Sequence, residues 1–221
     1  MKTVKTRSPV VLNMIKRICL IGLLIVSSLS VSLADSPLTS TEFWRIYQVY
    51  GENENYFPPY KVYDESGWGN EVMSILCSSD VSIEQRLCLV NYCGWNFDGQ
   101  NHYADLVQYC CEKEGVANET KLLKKMSGEM LIIFAYVKAM DDYFEVSEAK
   151  RLAEEAVKRS PKSRAVAMIA ALIKAQDARS SDWGEIYRVC HAVEINTSLN
   201  NDFCDAAVWA IMEYINAYSE Y

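Results

Sequence analysis

Ser147-Glu148-Ala149-Lys150-Arg151-Leu152-Ala153-Glu154-Glu155-Ala156-Val157-Lys158-Arg159-Ser160-Pro161 is the stretch that decides the fold. Small and apolar residues recur at helical spacing through Ala149, Ala153 and Ala156, with charged residues between them. A helix over 147–160 follows, and Pro161 suits the first turn of its successor. The same pattern extends outward in both directions. It predicts helices over about 70–78, from Ser82 to about Cys93, over about 102–113, from Asn118 through about Asp142, from Ser181 to about Glu194, and over about 201–217. Ser82-x-x-Gln85 is a capping box, and Asn118 and Ser181 are capping residue types. No segment alternates as a half-buried strand. The reading is all-α: antiparallel helix hairpins stacked as a bundle or short repeat array and stapled by disulfides.

Residues 35–69 divide differently from this helical part, which occupies 70–221. Ser40 or Thr41 can cap a first helix whose Phe43, Ile46, Tyr47 and Tyr50 share a face. Gly51 through Tyr60 then breaks the periodicity with Pro58-Pro59 and two asparagines. Acidic and aromatic side chains coincide there, at Glu52, Glu54, Tyr56, Tyr60 and Asp64, and Asp98 lies in a second turn-rich stretch. These six residues are the candidate partner-contact surface. The tyrosines themselves are read first as anchors that pack the loop onto the body, with an exposed aromatic binding loop as the alternative.

The N-terminus reads as a leader. Lys16-Arg17 precedes an apolar run from Ile18 to Ala34, which closes on Ser32-Leu33-Ala34 before Asp35. A basic flank, an apolar stretch and a small-x-small site describe a cleavable secretory signal over 1–34. Met14 offers a second start. Cys19 stands at the beginning of the run, the wrong place for a lipid-bearing cysteine. Stable membrane insertion after cleavage is not expected.

Five of the 22 Lys and Arg lie before Asp35 and none of the 29 Asp and Glu do, so residues 35–221 carry 17 − 29 = −12. Such acidity opposes nucleic acid and anionic membrane surfaces and suits a basic protein partner.

Seven of the eight cysteines follow Asp35. Export favours disulfides over metal ligation. A bridge across a helix hairpin joins residues equidistant from its turn. That geometry prefers Cys190 with Cys204, Cys93 with Cys110 and Cys77 with Cys88. Cys111 is left as the free thiol, interchangeable with Cys110. Six cysteines admit 15 connectivities, so the pairing is a preference.

Chemistry is sparse. The two histidines are His102 and His191. Cys93, His102, Cys110 and Cys111 match no recognised zinc spacing, and Cys111 with His102 is the sole thiol–base pairing that suggests itself. Asp141-Asp142 and Glu154-Glu155 read as solvated helix faces. No catalytic residue, metal or cofactor is assigned.

Two resemblances bear on function. Shifted by 34 residues, Ala149, Ala153, Ala156 and Pro161 become Trp183, Tyr187, Cys190 and Ile195, and the region from about 130 to 217 resembles tetratricopeptide repeats. The segment Leu76-Cys77…Cys88-Leu-Val-Asn-Tyr-Cys93-Gly94-Trp95-Asn-Phe-Asp98-Gly99…Cys110 resembles periplasmic immunity proteins of type VI secretion amidase effectors. That second resemblance implies a small exported helical inhibitor without catalysis, and no residue role is carried over. The expected function is thus a periplasmic binding protein, in sharper form an immunity or inhibitor protein against a toxin. The alternatives are an envelope adaptor of tetratricopeptide-like type and an uncharacterised periplasmic enzyme.

Overall fold

The computed structural model describes residues 36–46, 68–95 and 101–221. The leader, the contact residues Glu52, Glu54, Tyr56, Tyr60 and Asp64, and Asp98 lie outside the described residues.

Among the described residues the regular structure is helical: α1 Asn70–Leu76, α2 Ile83–Cys93, α3 His102–Glu114, α4 Glu119–Lys125, α5 Gly128–Asp141, α6 Ser147–Arg159, α7 Arg164–Ala178, α8 Trp183–Glu194 and α9 Asp205–Ile215. Short 3-10 turns occupy Phe43–Arg45 and Asn216–Tyr218. The sole extended pairing described is an isolated bridge between Ser163 and Asn200, where the Asn200 N–H donates to the Lys162 carbonyl at 2.7 Å. The all-α expectation is met.

Helix α5 is the centre. Its segment Leu131-Ile132-Ile133-Phe134-Ala135-Tyr136-Val137 is buried on every side. A helix apolar all round must be covered all round, and α5 is packed by α2, α3, α6 and α7. Helix α6 covers it with Ala149, Leu152, Ala153 and Ala156, and α8 packs in turn on α7. Close approach is enforced at Gly128, where a Cβ would lie 2.4 Å from the Ser160 Oγ and 2.6 Å from the Ala156 carbonyl oxygen.

Local chemistry sets the helix ends. The Ser82 Oγ accepts the Gln85 N–H at 3.2 Å and the Asn118 Oδ1 accepts the Lys121 N–H at 3.0 Å, both as expected. Gly115 closes α3 with φ +60°, a left-handed conformation that favours glycine.

Four boundaries differ from the sequence reading. The single helix expected over 118–142 is two, because Met126 turns extended (ψ 142°) and Ser127 caps a fresh start through the Met130 N–H. Pro161 falls in the turn before α7, whose cap is Ser163. Asp182, rather than Ser181, caps α8, since its carboxylate reaches the Glu185 N–H. The last helix begins at Asp205, because residues 201–203 turn first and place Phe203 in the core.

At the N-terminal end of the described chain, Thr41 does not cap a helix; its hydroxyl donates to the Pro37 carbonyl. The segment is tied down by Asn91 of α2. Its amide donates to the Thr41 carbonyl at 3.1 Å and the Tyr136 hydroxyl at 2.9 Å, while its oxygen accepts the Trp44 N–H at 3.1 Å. Phe43 then packs edge-on to Phe203 at 5.4 Å.

Candidate functional site

The described surface offers one groove with aromatic walls. It runs between the Phe43–Arg45 turn and α9, encloses about 610 Å³, and is lined by Ile46, Ala206, Trp209, Ala210 and Tyr214, with Glu42, Arg45 and Glu213 at its polar positions. Helix α9 explains the arrangement. Ala207, Val208, Ile211, Met212 and Ile215 form its buried stripe. Ala206, Trp209, Ala210 and Glu213 therefore share the other side at i, i+3, i+4 and i+7. Trp209 remains 65% exposed. An indole held in water on a rigid helix is a common anchor for a protein partner.

The aromatic character continues toward the C-terminus. The hydroxyls of Tyr214 and Tyr218 share a hydrogen bond at 2.7 Å, and Tyr218 and Tyr221 pack edge-on against Trp183 at 6.0 and 5.4 Å. The acidic groups beside the groove give it a mild negative bias. Arg45 is engaged by Glu42 at 2.7 Å, which leaves Glu213 as its remaining charge.

The second concentration of polar side chains is buried. Asp141, at the end of α5, accepts the Tyr103 N–H at 2.7 Å and so caps α3 from another helix. Its other oxygen lies 3.8 Å from the His102 Nδ1, and neither atom has a hydrogen-bond partner among the described residues. Burial raises the Asp141 carboxyl to about 6, opposed by the N–H groups it accepts and by Lys138, and reinforced by Asp105. Burial also lowers the His102 imidazole below its ordinary value, against a hydrogen bond to the Gly94 backbone. Trp68 stacks on His102 at 4.1 Å, with the planes 6° apart. Tyr103 donates to Glu119 at 2.5 Å, and its ring lies under the Lys138 ammonium at 4.3 Å.

Asp141 is thus no part of a solvated carboxylate face, since its side chain is 12% exposed. Asp142 accepts the N–H groups of Phe144 and Glu145 in a tight turn.

The cysteines are arranged unlike the hairpin scheme. Cys77 is bonded to Cys110, joining α1 to α3 across 33 residues. That bond rules out Cys77–Cys88 and Cys93–Cys110 as partners. Cys190 and Cys204 are unbonded as well, as are Cys88, Cys93 and Cys111. The reason is topological. Helix α1 does pack on α2, but Cys77 lies just past the end of α1 and is joined to α3 instead. Burial pushes the thiols of Cys93 and Cys190 up to about 12 and raises those of Cys88 and Cys204. A thiol so raised attacks slowly at neutral pH, and of these four the half-buried Cys204 is the most accessible.

Cys111 and His102 stand nine residues apart on α3, about 13.5 Å along its axis, so they form no nucleophile–base pair. Among the described residues no three His, Cys, Asp or Glu side chains converge as a metal site would require. His191 pairs with Glu194 at 2.8 Å on the surface of α8. No described helix is long and apolar enough to cross a membrane.

The groove escaped the sequence reading, which placed partner contacts in the 52–64 segment. The signal was available: a tryptophan lying off the apolar stripe of the last helix. No known protein family, curated protein or solved structure matches the chain.

Proposed function

We propose that this chain is exported to the bacterial periplasm, loses residues 1–34, and acts there as a non-catalytic binding protein. In its sharper form it is an immunity or inhibitor protein that occupies the working surface of a toxin arriving in that compartment. The observation that carries the reading is Trp209, an exposed indole on a helix that is otherwise well packed, beside apolar Ile46, Ala206 and Ala210. The charge of −12 on residues 35–221 suits a basic partner, whose approach it would accelerate. A disulfide joining α1 to α3 suits an oxidising compartment.

The second reading is an envelope adaptor of tetratricopeptide-like type. It is favoured by the successive packing of α5 on α6, α6 on α7 and α7 on α8, four consecutive helices of 12 to 15 residues each. Against a strict repeat, Trp183 stands 49% exposed where the 34-residue shift aligns it with the buried Ala149.

Co-expression tests the first reading. Each toxin-like gene flanking this one is expressed with an export leader, with and without this chain. Rescue of growth by the native chain, and its loss with Trp209→Glu, is the expected result. Lethality unrelieved in every combination overturns the immunity reading.

A further inference from the structure

The N-terminus of α9, the helix that carries Trp209, is held against α2 by an unusual contact. The Glu84 carboxylate accepts the backbone N–H of Cys204, the residue that precedes α9, across 120 residues of chain. Glu84 opens the first turn of α2, and Cys88 follows it by four residues on the same face. Cys88 is fully buried and Cys204 half-buried. Phe203, next to Cys204, is fixed in the core against Phe43. Two thiols from distant parts of the chain therefore flank one carboxylate.

We propose that Cys88 and Cys204 are the site of a second disulfide, which locks the start of α9 to α2 and sets the groove beside Trp209 before any partner arrives. The oxidant is an external disulfide, either of an oxidoreductase or of glutathione. The half-exposed Cys204 thiolate attacks it and releases one thiol, forming a mixed disulfide. The Cys88 thiolate then displaces the second thiol. In sum, two protein thiols and one external disulfide give the Cys88–Cys204 bond and two external thiols, with two electrons passing to the oxidant. The order of attack follows from exposure, since only Cys204 is open to an incoming disulfide.

Several features support the pairing. Each thiol is raised by burial and by the charge of Glu84, and Cys88 also feels the charge of Cys204, so the two sulfurs sit within electrostatic reach of each other. Oxidation removes two thiols that cannot ionise comfortably beside a carboxylate. Cys93, Cys111 and Cys190 would remain free. The bond would close a loop of 204 − 88 = 116 residues. A constraint of that length acts chiefly on the unfolded chain. In the folded protein it restrains the one helix whose outer face forms the groove, which lowers the ordering cost of binding.

This proposal rests on the export reading for its natural oxidant, so the test has two arms. The full chain is produced in a bacterium, recovered from the periplasm, and alkylated under denaturing conditions without reductant. It is then digested with chymotrypsin, whose cleavage after Leu89 and Tyr92 separates Cys88 from Cys93. The expected result is a Cys88–Cys204 linked peptide that disappears on reduction, with alkylation confined to Cys93, Cys111 and Cys190. Recovery of an unprocessed chain from the cytoplasm contradicts export and leaves the bond to the second arm. There, purified reduced chain is incubated with glutathione disulfide and mapped in the same way. Alkylated Cys88 and Cys204 after that treatment, or either one linked to a different cysteine, overturns the proposal. As a further measurement, Cys204→Ser should lower the thermal midpoint of the oxidised protein and leave that of the reduced protein nearly unchanged. An equal drop in both states also overturns it.

Discussion

The Nδ1 of His102 and the Oδ1 of Asp141 face each other at 3.8 Å inside the protein, and neither has a hydrogen-bond partner among the described residues. The other Asp141 oxygen is committed to the Tyr103 N–H. Burial lowers the His102 imidazole, and the Gly94 backbone partly offsets it. Burial at the end of α5 gives the Asp141 carboxyl a local preference for keeping its proton.

That preference has a sign. The Asp141 carboxyl is raised to about 6 from 3.8, so the folded state binds its proton more readily than the unfolded state does. Its contribution to stability is fullest below about pH 4 and falls by up to about 3 kcal/mol as pH rises toward 6. His102 works oppositely: lowered by burial, its neutral form is favoured, and its share of stability falls as pH drops below its ordinary value. Asp141→Asn supplies an N–H to His102 while keeping an oxygen for Tyr103. It should match or exceed the native protein at pH 7 and flatten the slope between pH 4 and 6. Asp141→Ala loses the cap and should cost about 1–2 kcal/mol. Urea midpoints measured from pH 4 to 7 check both. A native slope persisting in Asp141→Asn would contradict the assignment.

Gly128 is a packing glycine. Its added Cβ meets a backbone carbonyl of α6 at 2.6 Å, which cannot swing away as a side chain can. Gly128→Ala should destabilise by about 1–3 kcal/mol despite alanine's better helix propensity. Thermal unfolding of the variant, alone and with Ser160→Ala, gives the check. Recovery with Ser160→Ala should be partial, because the Ala156 carbonyl stays in place.

The Cys77–Cys110 bond spans 33 residues. The chain-entropy estimate for such a loop is about 4 kcal/mol. Replacing both cysteines with serine should lower stability by an amount of that order, read from urea unfolding under non-reducing conditions. In the presence of reductant the native protein and the double variant should converge.

Asn91 fastens the N-terminal segment to α2 and α5 through three hydrogen bonds. Asn91→Ala would strand the Tyr136 hydroxyl, which is fully enclosed. A loss of about 2 kcal/mol is expected. Hydrogen exchange at Trp44 should rise with it. Unchanged exchange there would show that the segment is held by Phe43 packing alone.

Much of the helical order was legible because it is local. Ser82, Asn118 and the alanines of α6 act through neighbours within a turn or two, so spacing along the chain reveals them. The break at Met126-Ser127 was missed because Leu122, Met126 and Met130 recur at helical spacing straight across it. Only the serine–glycine pair, needed where α5 meets α6, marks the stop. Cysteine pairing failed for a different reason. Symmetry about a turn considers only neighbouring helices, whereas Cys77, just past the end of α1, is joined to Cys110 of α3. Buried Asp141 was read as exposed because a helix-terminal carboxylate resembles a surface one until another helix is found to need its oxygen. Trp209 was legible in principle, since Ala207, Val208, Ile211, Met212 and Ile215 define the inner face and leave the indole outside it.

The central claim is that this chain binds a protein partner through the face of α9. The direct measurement is calorimetric titration of the processed chain with the product of the flanking gene whose lethality it relieves. The native chain should bind with an affinity that weakens as salt rises. Trp209→Glu should bind at least tenfold more weakly while unfolding within about 0.5 kcal/mol of the native protein, as expected of an exposed site. Undiminished binding by a folded Trp209→Glu chain would contradict the account.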